Sequence, residues 1–256
     1  ALAAFGNDGL YVEQLVANPR HIEVQIIGDG SGAVSHIWER ECSLQRRHQK
    51  LVEIAPSPTL DPVIRDAMCA AAVRLGKEIN YAGLGTIEFL LDTNANEFFF
   101  IEANARLQVE HTVTEEVTGI DLVRAQIEVA GGASLNDLGL QQADVPNPRG
   151  YAIQLRVNME TMTAEGDVMP AGGRLSKFEV PTGPGLRTDT YGYAGYTTNP
   201  NYDSLLAKVI CYSPSKNYAD AIKRAQRALK DFVVEGVSCN IDFLAALIAS
   251  PDFANN

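Results

Sequence analysis

Basic residues are the first scarcity. Against 32 Asp and Glu, the 256-residue chain carries 21 Lys and Arg, a formal net charge of −11. Phosphate backbones demand basic surface, so this balance argues against a nucleic-acid partner. An acidic chain can still hold a nucleotide, but only by gathering its few cations in one place. Cysteine is sparse too. Cys42, Cys69, Cys211 and Cys239 are scattered, with no C-x-x-C pair and no ligand-like spacing. They read as buried or idle thiols in a reducing compartment, the cytoplasm or alternatively the mitochondrial matrix. No run approaches the ~20 apolar residues of a membrane span, so no membrane partner is expected. The opening Ala1–Phe5 is too short for a signal h-region and lacks a basic n-region. The initiator Met is missing as well, which reads as a chain beginning inside a longer protein. Neither G-x-S-x-G nor H-E-x-x-H occurs, so serine-hydrolase and zinc-protease readings gain no support.

What is present is a globular composition, 46% apolar and 21% charged, enough for a substantial core. The elements alternate between α and β, without repeats. Ile22, Val24 and Ile26 alternate with polar neighbours over residues 21–29, a strand with one buried face. Gly28-Asp29-Gly30-Ser31-Gly32 follows. No Gly-Lys-Ser/Thr or helix start comes after it, so a hairpin turn is expected, not a phosphate loop. A second strand is expected near 33–40. Pro62 after a capping Asp61 predicts a helix to about Ile79. Strands are expected near 84–92 and 97–105, and a helix near 121–131 ending at Gly131-Gly132. Residues 133–148, with Pro146 and Pro148, read as a linker or a covering loop. Further strands are expected near 149–159, 173–180 and 204–212, then helices near 217–235 and 240–249. The spacing of Ala221, Ala225, Leu229 and Phe232 gives the first of these helices a core-facing stripe. The class is α/β (α+β): a lobe over 1–132, a connection over 133–148 and a smaller α+β domain over 149–256.

Two stretches could carry chemistry. In Ile101–His111, apolar and polar residues alternate strictly, so in an extended chain Glu102, Asn104, Arg106, Gln108 and Glu110 face one way. On pattern alone, a half-buried strand with one solvated face is the favoured reading. An unbroken strand from Glu102 to Glu110 would span roughly 26 Å at about 3.3 Å per residue. If all five residues serve one site, the chain must therefore bend between them. Glu88 lies on the preceding strand, and hairpin pairing would let it face Glu102 and Asn104. Two carboxylates and an amide oxygen suit Mg²⁺, which prefers hard oxygen ligands; two exposed strand residues are the plain alternative. The second stretch, Gln45-Arg46-Arg47-His48-Gln49-Lys50, concentrates basic side chains in an acidic chain. It is either a solvated basic face or an anion site, to which Arg20-His21 could add.

Taken in order and spacing, several strings resemble the biotin carboxylase family, the ATP-grasp component of acetyl-CoA, propionyl-CoA and pyruvate carboxylases. They are Asn18–Glu23, Glu41–Lys50, Glu102–His111 and Tyr202–Lys208. The resemblance extends from about Leu10 to the last helix. It implies the C-terminal lobe of an ATP-grasp domain followed by a biotin carboxylase C-terminal domain. It also implies a role for each matched position. Glu13, Gln14 and Val16 would meet adenine, while His21, Gln45 and His48 would lie near ribose and phosphates. Glu88, Glu102 and Asn104 would hold Mg²⁺ or Mn²⁺. Lys50, Arg106, Gln108 and the backbone of Val109 would bind bicarbonate, with Glu110 as general base, and Arg187 would approach the biotin ureido oxygen. The implied reaction forms carboxyphosphate from ATP and bicarbonate, then delivers CO₂ to biotin N1′. Biotin would arrive on another domain or chain, because no Met-Lys-Met attachment motif occurs. The implied partners are a biotinylated carrier domain and a carboxyltransferase component, and the family commonly forms homodimers. Family members also carry an upstream domain, a glycine-rich lid and two phosphate-binding lysines, none of which precedes Leu10. The expectation is thus a module with part of its site missing and little activity by itself. A catalytically silent scaffold of a carboxylase complex is the alternative. A carbamoyl-phosphate synthase relative fits the Gln45–Lys50 and Gln108–His111 strings less well.

Overall fold

A computed structural model describes residues 2, 6–10, 12–163, 167–199 and 201–255. The expected hairpin starts the main sheet. Strand β1 (Arg20–Asp29) turns through Gly30 and Gly32 into β2 (Val34–Arg46). β2 runs beyond its expected end, and a second tight turn returns the chain as β3 (Gln49–Ala55), a strand the sequence reading did not separate. At that turn Arg47 and His48 both have positive φ, 50° and 65°. Two-residue hairpin loops with positive φ at both central positions match the twist of the flanking strands.

Helix α1 (Pro62–Glu78) begins where expected, with the Asp61 carboxylate accepting from the Val63 and Ile64 amides and proline at the first position. Such a cap contributes about 1 kcal/mol. A hairpin of β4 (Ala82–Asp92) and β5 (Glu97–Asn104) follows. Next come α2 (His111–Thr118), which the alternating pattern concealed, and α3 (Leu122–Ala130). The remainder comprises β6 (Tyr151–Asn158), the short β7 (Glu160–Met162), β8 (Val168–Pro170) and β9 (Lys177–Glu179), then β10 (Leu186–Thr190) and β11 (Leu205–Ser213). After them come α4 (Tyr218–Asp231), β12 (Val233–Glu235), α5 (Ile241–Ala249) and α6 (Pro251–Asn255).

Two expected elements are corrected. The strand expected over 173–180 shrinks to Lys177–Glu179, with Arg174 making only an isolated bridge to Thr197. The helix expected to reach 235 stops at Asp231. Its β-branched continuation, Val233-Val234, pairs instead with Glu179 and Phe178 of β9.

Eight strands form one antiparallel sheet in the order β10-β11-β6-β3-β2-β1-β4-β5. Both halves of the chain build it, because β6 hydrogen-bonds to β3 with Val52 opposite Leu155. Helix α1 covers one face through Met68, Cys69 and Ala72, which pack on Ile22, Val24, Ile26 and Phe89. Helices α4, α5 and α6 build a separate core on β3, β6 and β11 through Ala221, Ala225, Leu229, Leu244 and Phe253. The alternation of β1 sends Glu23 and Gln25 to the other side of the sheet, yet both are fully buried there. Burying a carboxylate is costly unless cations and donors surround it, so that position requires partners.

Residues 133–148 are packed. Leu135, Leu140 and Val145 join Ile27, Ile37, Leu84 and Leu122 in a buried cluster. A bulge in β2 opposite Val24–Ile26 puts Trp38 at positive φ, and its indole donates to Pro146 O at 2.8 Å. The Gln142 amide accepts from the His36 N–H at 2.8 Å and donates to the His36 carbonyl at 3.3 Å. It thus stands in for a neighbouring strand along the part of β2 that β3 does not reach. Leu135→Ala is expected to destabilise the fold by about 2–5 kcal/mol in denaturant unfolding. A loss well below about 1 kcal/mol would instead describe a loose connection.

Candidate active site

Four charged residues stand in one transverse row of the sheet. Arg40 on β2 lies opposite Glu23 on β1, Glu23 opposite Glu88 on β4, and Glu88 opposite Glu102 on β5. The row begins fully buried and ends exposed. Arg40 gives its Nε to Glu23 and its remaining nitrogens to Gln25 at 2.8 Å, Thr114 at 3.1 Å, Thr86 at 3.3 Å and Gln108 at 3.4 Å. Burial would raise the Glu23 carboxyl, but Arg40 and Lys50 outweigh it and hold the group below its usual range.

Lys50 joins the row from β3. Its ammonium bonds to Glu23, to Glu88 at 3.0 Å and to Glu110 at 2.7 Å. Burial opposes its charge, and the surrounding acids overcome that and raise its pKa. Glu88 is the most heavily engaged carboxylate. His21 meets it at 2.6 Å, Gln108 at 2.9 Å and Asn104 at 3.0 Å. Burial alone would lift Glu88, whereas the His21 bond, Lys50 and Gln108 bring it down to about 2. Gln45 in turn holds the other ring nitrogen of His21 at 2.7 Å.

The bend that one shared site would need occurs at the end of β5. Asn104 is the last strand residue, and Arg106 N turns back to Asn104 O at 2.9 Å. The chain then swings Gln108 and Glu110 inward to the start of α2. Glu102, Asn104, Arg106, Gln108, Val109 and Glu110 therefore line one open cleft of about 610 Å³, with His21, Gln45, His48, Lys50 and Glu88 on its other side. β5 is not half-buried at this point; as the edge strand it is exposed over residues 100–103.

The basic string at Gln45–Lys50 is divided by the hairpin. Arg46 makes a two-pronged pair with Glu160 at 2.8 and 2.7 Å, and Arg47 pairs with Asp167. Gln45, His48 and Lys50 line the cleft. Glu13 and Gln14 lie exposed and Val16 half-buried in a segment without regular structure, outside the cleft lining. Arg187 also lies outside it. Arg187 binds Glu115 of α2 at 2.8 Å and Asp189 at 2.9 and 3.0 Å.

Sequence reasoning missed Arg156, which β6 directs into the cleft. Arg156 spans Glu53 and Glu110, reaching the latter at 3.0 Å. Burial pushes the Glu53 carboxyl up despite this guanidinium. Glu110 is thereby held at both oxygens, by Lys50 and by Arg156. Glu23 and Arg40 were missed as well. Glu23 stands between Ile22 and Val24, an acid at an apolar-flanked strand position, whereas Arg40 lies between Glu39 and Glu41 and carries no such signal; only the register brings the two together.

A divalent ion fits this donor set. Glu88 and Glu102 are hard oxygen donors facing across a strand pair, and Asn104 contacts both, at 3.0 and 2.9 Å. His21, Glu23 and Glu88 also converge closely enough for an ion, but the Lys50 ammonium already bonds to both of those carboxylates. The open, exposed end of the row is the chemically suitable one.

Residues 1–138 match the family model described as "Carbamoyl-phosphate synthase L chain, ATP binding domain". Residues 154–256 match "Biotin carboxylase C-terminal domain". The chain belongs to the biotin carboxylase family. Biotin carboxylase of Nostoc sp. is 47% identical over 251 residues, 98% of this chain and 54% of that protein. Pyruvate carboxylase 1 of Caenorhabditis elegans is 49% identical over 254 residues, 99% of this chain but 21% of its own length. The chain thus spans about half of the former relative and about a fifth of the latter. The biotin carboxylase domain dimer of Hydrogenobacter thermophilus 2-oxoglutarate carboxylase, solved with MgADP, ADP and bicarbonate, superposes with a TM-score of 0.90. It is 40% identical, and the match covers 99% of this chain and 54% of that one. The architecture is accordingly a C-terminal ATP-grasp lobe with a biotin carboxylase C-terminal domain.

Glu88 supplies a pH test on the metal-free protein. Its pKa is lower folded than unfolded, so its contribution is complete above the ordinary carboxylate value of 4.5 and is lost as pH falls towards about 2. Glu88→Gln should flatten the loss of stability in that window, read by thermal unfolding in chelator. Parallel curves for the two proteins would contradict the ion-paired geometry.

Proposed function

We propose that this chain supplies the bicarbonate, metal and part of the nucleotide site of a biotin carboxylase, which carboxylates biotin at the expense of ATP. The observation that carries this reading is Lys50, one cation bonded both to Glu88 at the metal end and to Glu110 at the base end. An incoming bicarbonate would take over Lys50, with Arg106, Gln108 and the Val109 backbone around it. Glu110 would accept its proton as the anion attacks the terminal phosphate of ATP to give carboxyphosphate and ADP. Mg²⁺ or Mn²⁺ on Glu88, Glu102 and Asn104 would offset phosphate charge. His21, Gln45 and His48 fit the phosphate and ribose side, and Glu13, Gln14 and Val16 the adenine. Biotin, carried on another domain or chain, would supply the ureido nitrogen that accepts the carboxyl group. Arg156 is a further cation in the cleft, held by Glu53 and Glu110. Arg187, which the family resemblance nominates, would have to leave Glu115 and Asp189 to reach the biotin.

Residues 1–132 would form the nucleotide, metal and bicarbonate lobe, 133–148 its connection and 149–256 the C-terminal domain. A carboxyltransferase component would complete the pathway of the carboxyl group. A homodimer is in keeping with the H. thermophilus neighbour. No described helix is long and apolar enough to cross a membrane. Free cysteines, three of them buried, suit a reducing compartment such as the cytoplasm or the mitochondrial matrix.

The test is bicarbonate-dependent ATP cleavage, with and without free biotin, by this chain and by a form extended to the length of its relatives. Stimulation by biotin but not by ammonia supports the reading. Silence in both forms, with no nucleotide binding by calorimetry, would leave a scaffold. In the active form, Glu110→Gln should keep ATP affinity and lower turnover by about 10²–10⁴-fold, the usual scale for a general base. Turnover equal to the parent's would remove Glu110 from the mechanism.

A further inference from the structure

Lys208 has no place in the chemistry described so far. It sits on β11 and does not line the cleft. Its ammonium nevertheless crosses to the cleft wall and donates to the carbonyl oxygen of Val109 at 2.9 Å. That carbonyl is otherwise left over by the local chain path. Gln108 O accepts from the His111 amide, and Glu110 O accepts from the Val113 amide. No main-chain amide among the described residues meets Val109 O between them. Val109 is half-buried, a backbone carbonyl is a strong acceptor that calls for a donor, and here a side chain from the other half of the molecule supplies one.

We infer that Lys208 is a positioning residue for Glu110. A peptide unit is planar, so holding the Val109 carbonyl also fixes the Glu110 amide and narrows the directions open to its side chain. Glu110 is then anchored at two ends. Lys50 and Arg156 hold its carboxylate, and Lys208 holds the backbone that carries it. Lys208 is oriented in turn by Asp189, its register partner on β10, at 3.3 Å. Asp189 is shared between Lys208 and Arg187, and the contact through which Lys208 reaches Glu110 is the Val109 carbonyl. The inference rests on the reading of the cleft as a bicarbonate site.

Lys208→Met removes the donor while Asp189 keeps its two bonds to Arg187, so no acid is orphaned and the variant should fold. Lys208→Arg and Lys208→Gln retain a donor. In the full-length protein, hydrogen exchange read by mass spectrometry should quicken over residues 107–113 in the Met variant, and at least one donor-bearing variant should restore it. In the same proteins, kcat/KM for bicarbonate should fall about ten- to a hundredfold, the scale of a misplaced reacting group, while KM for ATP holds. Unchanged exchange at 107–113 would overturn the anchoring. Faster exchange with bicarbonate and ATP parameters shifting alike would overturn the link to Glu110 and leave a purely structural contact. A parent protein without bicarbonate-dependent ATP cleavage would refute the functional reading, and the exchange data would still decide the anchoring.

Discussion

Glu23, Glu88 and Glu102 face one another across three adjacent strands, and like charges so placed repel. The sheet tolerates them because cations stand on either side of the buried part of the row. Arg40 closes its interior end, and Lys50 reaches in from β3 to touch Glu23 and Glu88 together. Much else follows from that compensation. It keeps Glu88 ionised, draws Gln108 and Asn104 in as donors, and leaves Glu102 at the open end for a further cation. An acidic chain has few basic residues to spare, and it places two of them here.

The cleft lies where the two halves of the chain meet, on a sheet that neither half completes alone. β3 provides Lys50, β6 provides Arg156, and these two strands are the hydrogen-bonded seam between the halves. Glu110 lies between their cations, so its environment depends on the seam remaining closed. The interlobe pair Arg46–Glu160 secures the same seam beside the turn that presents His48.

The sequence made this site partly readable. The 2-residue period at 101–110 and the short interval back to Glu88 were enough to raise metal and anion chemistry, because cross-strand neighbours in a hairpin follow from local pairing. The bend after Asn104 could be required but not located: the alternating pattern runs on past the end of β5 into α2, whose Thr- and Val-rich sequence has weak helix propensity. Glu23–Arg40 and Arg156–Glu110 were beyond reach, since each depends on a strand register set by the whole sheet. The end of α4 was missed for a related reason. Val233-Val234 continues the apolar pattern of the helix, and only a partner strand at 177–179 makes extension the better state.

The pairing of Gln142 with His36 has a consequence for how copies of this protein meet. Beyond the reach of β3, the first half of β2 would present bare backbone donors and acceptors, the template on which strands of separate molecules add to one another. A single side-chain amide, delivered by a segment itself pinned through Leu135 and Trp38, occupies both groups of the central residue. The covering loop thus leaves neither backbone group of His36 free to pair with a strand of another copy.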